Sequence, residues 1–467
     1  MALHWRLNKG AIAYATTSLG SSMMHAVFMF NYVNVFMNYY HVPKVWFNIA
    51  QTIFMLWNAL NDPLFGYMQD NCDWKIMKSR RHTVLYGAPL FALSFLVPWF
   101  RWTSENNSWI TGLHLTVSLC FYDAMFTYVL LATCCIFAEA PKNPEERIQY
   151  NQYAQLLGIV GSTSVFVCSY LSNNLENFQT FQVICIIIAI LAWLTMTYTG
   201  LYSKTKYDLD HPDQQRTSST TANKSTEDSI WRLTWQIITH LDFFAFVSVN
   251  FLTEFHRTSI TNFTGILTKH LLPTQEIPAF TRSLVHGAIT FVPQILIVIG
   301  RPVLTNIGYY KVYKCIFILK IIGGSLMVFL GRQYHTILLT FFVTDAILSM
   351  IPGSLMGLPL SDVVDSDMSR RKRKHPLSSM VFGTNALITK PAQSLAPMLV
   401  VNTWNQYGYD KLKASPQVST AEAENLHNVM FLMICVTPIV IGILQSLVWQ
   451  KYQLRNTHIT ETKYVEV

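Results

Sequence analysis

Long apolar runs separated by short polar stretches repeat along the whole chain. A helix of about 20 apolar residues crosses the hydrocarbon core of a bilayer, which is about 30 Å thick. About twelve runs are long enough to do so. They lie at residues 10–39, 46–68, 83–100, 109–138, 152–172, 180–202, 236–266, 282–304, 313–331, 336–359, 377–402 and 427–450. The pattern predicts an all-α integral membrane protein.

One polar stretch divides the predicted spans into two equal groups. Residues 203–235 are rich in Ser, Thr, Asp and Lys and poor in apolar residues, which is typical of a flexible linker, here cytoplasmic. We expect an N-terminal six-helix bundle over 1–202, a C-terminal six-helix bundle over 236–451 and a cytoplasmic tail over 452–467. Two such halves are the layout of transporters whose substrate site lies near the membrane midplane, between the repeats.

Composition and charge agree with a membrane protein. The chain of 467 residues is 51% hydrophobic and only 13% charged, whereas soluble domains carry roughly 25% charged residues. The net charge of +8 does not indicate nucleic-acid binding, because most Lys and Arg residues fall in the loops on one side of the predicted spans. The positive-inside rule places that side, with both termini, in the cytoplasm. The expected partner is the lipid bilayer, and we expect a monomer.

A glycosylation acceptor supports this orientation. Asn106-Asn107-Ser108 lies in a loop on the side predicted to be outside, so we expect a glycan on Asn106. The sequon indicates the secretory route and therefore the plasma membrane or an endomembrane.

The second apolar run ends in an unusual polar group. Asn58, Asn61 and Asp62 precede Pro63, and residues four apart lie on one face of a helix, so Asn58 and Asp62 can point into the same cavity. A carboxylate inside a membrane is costly and often marks an ion pathway, and its oxygen ligands suit Na⁺ or a proton. The alternative is that Asp62 pairs with a basic residue of a neighbouring helix and only holds the helices together.

Further charged residues lie inside predicted spans. Asp123 in span four is a second candidate carboxylate for the same cavity, or else a group that makes an interhelical hydrogen bond. Lys390 in span eleven needs an acidic partner or a water-filled site, and the candidates are Asp62, Asp123 and Asp345. In span seven, Glu254 and Arg257 are three residues apart and are expected to neutralise one another.

The most basic loop follows span ten. Residues 370–374 read Arg-Arg-Lys-Arg-Lys, and a nuclear-import signal is implausible between two spans. We expect a solvated cytoplasmic face that sets the orientation and pairs with the acids just before it. Those acids are Asp362, Asp365 and Asp367.

The combination of motifs resembles the glycoside-pentoside-hexuronide:cation symporter family of the major facilitator superfamily, which includes the bacterial melibiose carriers. The span-two signature is matched at Asn61-Asp62-Pro63, Gly66 and Asp70, and the loop before span five at Glu146-Arg147. The acids before span eleven and the lysine within it are matched at Asp362, Asp365 and Lys390.

The resemblance implies a major facilitator fold and assigns roles to the matching positions. Asp62 and Asp123 match the acids of the cation site, with Asn58 and Asn61 as neutral ligands. The cytoplasmic gate is implied to comprise Gly66, Asp70, Arg80, Arg81, Asp362 and Asp365.

Three positions differ from the family pattern. Asn58 stands where the cation site begins with an aspartate, which favours proton over sodium coupling. Ser22 falls at the position of the sugar-binding acid on span one, and Asn151 near that of an arginine on span five. Ser22, Asn151 and Lys390 are therefore the candidate contacts to substrate or between the two halves.

We expect a secondary active transporter that couples symport of a small organic solute, such as a sugar, to H⁺ or Na⁺ by alternating access. Two alternatives stay open, a transport-inactive surface or scaffold protein of the same fold and a lysolipid carrier. The sequence has no nucleotide-binding loop, hydrolase elbow or metalloprotease motif. We therefore expect no enzymatic activity, no metal and no cofactor apart from the coupling ion.

Overall fold

The structure is a computed structural model. It describes residues 8–71, 77, 79–103, 108–173, 175–203, 205, 230–272, 279–373, 375–409 and 420–454. Throughout these residues every regular element is helical. Two compact units are present, one formed by residues 1–237 with 360–387 and the other by 238–359 with 388–467. The predicted domain boundaries stay predictions, and residues 206–229 of the linker and 455–467 of the tail lie outside the described part.

The helices that come first along the chain belong to the first unit. They are α1 (Lys9–Asn34), α2 (Lys44–Asn71), α3 (Arg80–Leu96), α4 (Trp109–Glu139), α5 (Pro144–Ser162), α6 (Ser164–Leu171), α7 (Phe178–Tyr202) and α8 (Ile230–Ile238). A π-helical turn (Val35–Tyr39) extends α1 and a 3₁₀ turn (Val97–Trp99) extends α3.

The remaining helices belong mainly to the second unit. They are α9 (Leu241–Leu271), α10 (Ala279–Ile299), α11 (Arg301–Ile307), α12 (Tyr309–Leu330), α13 (His335–Leu355), α14 (Gly357–Arg371), α15 (Ser378–Thr389), α16 (Pro391–Gln406) and α17 (Thr420–Trp449). Most of α14 and of α15 falls in the segment 360–387, which is part of the first unit.

Local sequence explains where several helices begin. Asn8 Oδ1 accepts the amides of Gly10 and Ala11 at the start of α1, and Asn143 Oδ1 accepts the amide of Glu146 at the start of α5. Asparagine is a favoured N-cap because its side chain satisfies amides that have no partner within the helix. Asn8 Nδ2 also donates to Glu146 Oε1 at 3.0 Å, so the two capped ends are joined.

Fewer helices than predicted are apolar throughout. Of the described helices, seven are long and apolar enough to cross a membrane, or eight if a bent pair counts as one span. The predicted span 46–68 coincides with α2, whose apolar character is diluted by Asn58, Asn61 and Asp62. Polar residues inside a spanning helix are tolerated where they face protein or a water-filled cavity.

The end of the predicted linker is helical. In α8, Trp231 and Trp235 are exposed, whereas Leu233 and Ile237 are buried. Arg371 Nη2 donates to Gln236 O at 3.0 Å and Arg373 Nη2 to Gln236 Oε1 at 2.9 Å. An amphipathic pattern therefore forms a helix over residues that the sequence assigned to the linker.

Two glycines allow α2 and α15 to lie very close together. A Cβ on Gly66 would lie 2.9 Å from Ser379 O, and a Cβ on Gly383 would lie 2.8 Å from Asp62 O. Both distances are shorter than real Cβ contacts, so only glycine fits. Helix α2 continues through Pro63 to Asn71. The small residue at 66 therefore permits a close contact between the two helices.

Gly66→Ala tests this contact. The added methyl meets a backbone carbonyl that cannot rotate away, so we expect a loss of ~1–3 kcal/mol of stability. The measurement is the thermal unfolding midpoint of the purified protein. Gly158→Ala is the matched control, because its Cβ would lie at an ordinary 3.5 Å from Ser22 Oγ. Equal midpoints for the two variants would contradict the close contact.

Candidate functional site

The structure brings together residues from the predicted ion site. Asn61 is fully buried and Asp62 is buried beside it on α2. Asn61 Nδ2 donates to Asp123 Oδ2 on α4, and lies 3.3 Å from Thr127 Oγ1 one turn further along α4. Asn58 and Asp123 are half-buried. Spans two and four therefore meet at Asn61 and Asp123, as the proposed cavity requires.

The amide of Asn61 is oriented by its neighbours. Its nitrogen faces the Asp123 carboxyl, because an amide nitrogen is a donor and a carboxylate only accepts. Its oxygen, Oδ1, is buried and has no hydrogen-bond partner among the described residues. A buried acceptor without a donor is unfavourable by about 1–3 kcal/mol. The arrangement thus holds an amide oxygen without a donor on a residue that contacts the Asp123 carboxyl, and amide and carboxylate oxygens are ligands that small cations accept.

A buried ion cluster lies at the end of α2. The guanidinium of Arg80 bonds to Asp70 Oδ1 at 2.6 Å (Nη2), to Glu139 Oε1 at 3.3 Å (Nε) and to Gln69 O at 2.8 Å (Nη1). All three charged side chains are less than a tenth exposed. Arginine suits this role because its planar fork of donors can serve several acceptors at once. The ends of α2 and α4 and the start of α3 are joined here.

Asp70 also binds the start of α15. Its second oxygen, Oδ2, accepts the backbone amide of Met380 at 2.7 Å, in the first turn of that helix. The first amides of a helix have no partner within it, and the helix dipole favours a negative charge at this end. Gln69 Nε2 donates to Tyr128 O at 2.8 Å, which adds a second tie between α2 and α4. Asp70 therefore serves Arg80 and α15 together.

A second ion cluster is built on Arg147. Its Nη1 lies 3.2 Å from Asp362 Oδ1, and its Nη2 lies 2.6 Å from Asp365 Oδ2 and 2.9 Å from Ala138 O. Arg147, at the start of α5, is therefore a partner of both aspartates that the sequence did not indicate, and their predicted pairing with the basic loop stays a prediction. The third acid, Asp367, does bind the loop, through Arg371 Nε at 2.9 Å and Arg373 Nε at 2.8 Å.

Sequence reasoning missed Glu139. It is the last residue of α4 and one of the two acids that bind Arg80. The available signal was a carboxylate at the end of a long apolar run, where an ion needs a partner. Arg81, which was predicted for the gate, is half-buried next to Arg80 on α3.

The predicted substrate contacts belong to different helices. Ser22 lies against α5, since a Cβ on Gly161 would be 3.0 Å from Ser22 Cβ. Asn151 is buried, and its Nδ2 has no hydrogen-bond partner in the described part of the chain. Lys390 is half-buried at the break between α15 and α16, directly before Pro391. Their roles in substrate contact stay predictions, as does glycosylation of Asn106, which lies outside the described residues.

The charged residues of span seven follow the prediction. Arg257 Nη2 bonds to Glu254 Oε2, so the two side chains neutralise one another. Gln393 Nε2 donates to the same oxygen at 3.3 Å. Asp345, a candidate partner for Lys390, contacts His256, at 3.1 Å from Nε2 to Oδ2.

Comparison with known proteins decides the family. The model of the MFS/sugar transport protein family matches residues 10–453, nearly the full chain. The chain belongs to this family. Transmembrane protein 180 of Gallus gallus is 27% identical over 488 residues, which cover 97% of this chain and 94% of the relative. The predicted resemblance is thereby confirmed.

Solved structures of other family-fold transporters show the same architecture. An outward-facing bacterial homologue of the iron transporter ferroportin has a TM-score of 0.61 at 11% identity, covering 95% of this chain and 98% of that one. A proton:xylose symporter bound to 6-bromo-6-deoxy-D-glucose has a TM-score of 0.61 at 14% identity, covering 95% of each chain. The chain therefore has the major facilitator fold of a multi-pass membrane transporter, and the family is one of transporters rather than enzymes.

Arg80→Gln tests the buried cluster. The substitution leaves Asp70 and Glu139 buried without their cation, so we expect a loss of roughly 3–5 kcal/mol of stability. The double variant Arg80→Gln/Glu139→Gln removes one of the two remaining charges and should recover part of that loss. Thermal unfolding of the purified proteins measures both effects.

The control is Arg332→Gln, which breaks the more exposed pair with Glu424. Exposed pairs contribute only about 0–1 kcal/mol. The cluster would not have the strength assigned to it if Arg80→Gln unfolded at the temperature of this control, or if the double variant were no more stable than the single one.

Proposed function

We propose that the protein is a secondary active transporter that couples H⁺ or Na⁺ to the symport of a small organic solute, such as a sugar, by alternating access. The observation that carries the proposal is the buried amide of Asn61, the residue directly before Asp62 on α2. Its nitrogen donates to the Asp123 carboxyl, and its oxygen, Oδ1, has no donor among the described residues. Asp62 and Asp123 bind the cation, and Asn58 and Asn61 are its neutral ligands.

The chemistry of the site supports a cation rather than a purely structural role. A carboxylate that only held helices together would be satisfied by a basic residue, as Asp70 is by Arg80. Near Asn61 the Asp123 carboxyl accepts from a neutral amide, which brings no positive charge. A carboxylate among apolar helices is costly, and a bound proton or sodium ion lowers that cost.

A sugar is the first solute to test. The family model describes sugar transport, and one structural neighbour is a proton:xylose symporter.

The proposal includes the orientation of the protein. Both termini lie in the cytoplasm, and the protein resides in the plasma membrane or an endomembrane. The two ion clusters on Arg80 and Arg147 serve as the cytoplasmic gate, with Gly66 and Asp70 on α2.

A transport-inactive surface or scaffold protein is the second candidate. It is favoured by Ser22, which stands at the sugar-binding position and lies against Gly158 and Gly161 of α5. A side chain used for helix packing is less free to bind a solute. The uptake measurement below separates the two candidates, and labelled lysolipid added as a further solute tests the lysolipid carrier.

Asp62→Asn tests the ion site directly. In vesicles with an imposed proton or sodium gradient, we expect uptake of labelled xylose or melibiose by the unmodified protein. The variant should lose the gradient-dependent part, because an amide cannot carry the proton or the charge. Glu145→Gln is the matched control, since Glu145 is an exposed acid of the same unit.

Two outcomes would contradict the proposal. One is gradient-dependent uptake that persists in full in Asp62→Asn. The other is the absence of gradient-dependent uptake of every solute offered to the unmodified protein, which would favour the scaffold role.

Asn58→Asp tests the choice of ion. The substitution adds a carboxylate one turn before Asp62, and an additional charged oxygen should increase the affinity for sodium. We expect uptake to become more dependent on sodium, with half-maximal activation at a lower concentration. Asn58→Gln keeps the amide and should leave the ion dependence unchanged. An identical sodium response in both variants would place residue 58 outside the ion site.

A further inference from the structure

The short helix α8 is apolar on two opposite sides. Leu233 and Ile237 are buried, whereas Trp231 and Trp235 are 77% and 67% exposed. Residues four apart lie on the same face of a helix, so the two tryptophans form one outward surface. A helix that only packs against its own protein usually has charged or polar residues on its outer face. The exposed tryptophan pair therefore needs another explanation.

The position of α8 along the chain places it next to the membrane surface. Helix α9, which contains most of the predicted span 236–266, begins at Leu241, three residues after α8 ends at Ile238. The helix is broken at residues 239 and 240. Three residues of chain reach at most about 11 Å. Because a spanning helix begins where it enters the bilayer, the end of α8 lies close to that surface.

The basic residues at the end of α14 lie against α8. Arg371 Nη2 donates to Gln236 O at 3.0 Å, and Arg373 Nη2 donates to Gln236 Oε1 at 2.9 Å. These hydrogen bonds hold the basic segment beside the tryptophan-bearing helix. The side chains of Arg370, Arg371 and Lys372 are exposed. Cations and aromatic rings are therefore presented together, and all of them belong to the first unit.

The charge of this region is positive. Residues 362–374 contain five basic residues and three acids. Arg147, which binds two of those acids, adds a further cation to the group. Arg232 is an exposed cation on α8 itself. The positive charges exceed the negative ones whichever acids they pair with, so the region favours an anionic partner.

Anionic lipid matches both features of this surface. Tryptophan is enriched at the membrane–water interface, where its ring contacts apolar carbons and its N–H reaches polar groups. Clusters of basic residues beside a spanning helix are typical of sites for anionic headgroups. An acidic protein segment would match the charges, but it gives no reason for two exposed tryptophans next to the start of a span.

We propose that α8 and residues 370–373 form a membrane-surface anchor that binds anionic phospholipids. Trp231 and Trp235 insert among the headgroups and the first carbons of the acyl chains, and the exposed basic side chains bind the lipid phosphates. In the orientation proposed above, the anchor faces the cytoplasmic leaflet, which is rich in anionic lipid. The anchor does not depend on the ion site at Asp62 or on transport.

Fluorescence quenching by brominated lipid tests the insertion of the tryptophans. The full-length protein is placed in nanodiscs of phosphatidylcholine and phosphatidylserine, with or without bromine on the acyl chains near the headgroup. The emission of the pair is the difference between the unmodified protein and Trp231→Phe/Trp235→Phe. We expect bromine to remove at least about half of this emission, because side chains at the headgroup level contact these carbons. Trp404→Phe is the control, since Trp404 is 1% exposed and its emission should not change.

Native mass spectrometry tests the choice of lipid. The full-length protein in detergent is titrated with phosphatidylserine and, in parallel, with phosphatidylcholine. In Arg370→Gln/Lys372→Gln, the half-saturating concentration of phosphatidylserine should rise at least about fivefold, the effect of one basic residue at an anionic surface. Binding of phosphatidylcholine should not change. Lys311→Gln/Lys451→Gln is the matched control, because both lysines are exposed and lie outside the anchor.

Either measurement can overturn the proposal. Emission of Trp231 and Trp235 that is as insensitive to bromine as that of Trp404 would mean that water or protein covers α8. Equal affinity for the two lipids, or the same phosphatidylserine affinity in both double variants, would exclude anionic lipid as the partner. Gel filtration checks the folding of each variant, and the two measurements use different variants. Neither uses an ion gradient, so their failure is distinguishable from failure of the uptake tests of Asp62.

Discussion

An ion buried among apolar helices must be compensated, and this constraint organises the protein. The effective desolvation penalty of a buried charge is several kcal/mol, so an unpaired ion would destabilise the helix that carries it. Arg80 binds Asp70 and Glu139, and Arg147 binds Asp362 and Asp365. These pairs join residues far apart in the sequence. The few charges of the chain therefore fix which helix ends meet within the first unit.

The surroundings of Asn61 differ from those of the carboxylates that pair with Arg80 and Arg147. Asp70 has an arginine and a helix N-terminus for its two oxygens. Asp123 has the amide of Asn61, which brings no positive charge and leaves its own oxygen without a donor among the described residues. Carboxylates inside a membrane often mark ion pathways. The contrast between Asp70 and Asp123 is the physical basis for the proposal that one carboxylate is structural and the other binds an ion.

The sequence predicts correctly the features that depend on residues close together in the chain. The helical class, the polar end of α2 and the Glu254–Arg257 pair all follow from residue type and spacing. Sequence reasoning failed where a partner lies far along the chain. Glu139 is 59 residues from Arg80, and no spacing rule joins them. Asp345 was considered for Lys390 but contacts His256, because the choice among distant partners depends on packing that the sequence does not display.

Exchange of a cation at Asp62 and Asp123 is the proposal on which the suggested function depends. Infrared difference spectroscopy of the purified protein tests it without knowledge of the solute. We expect that replacing potassium by sodium, or changing the pH, alters carboxyl bands, and that Asp62→Asn or Asp123→Asn removes part of the change. A difference spectrum without carboxyl bands under either exchange, or one that is identical in both variants, would contradict it.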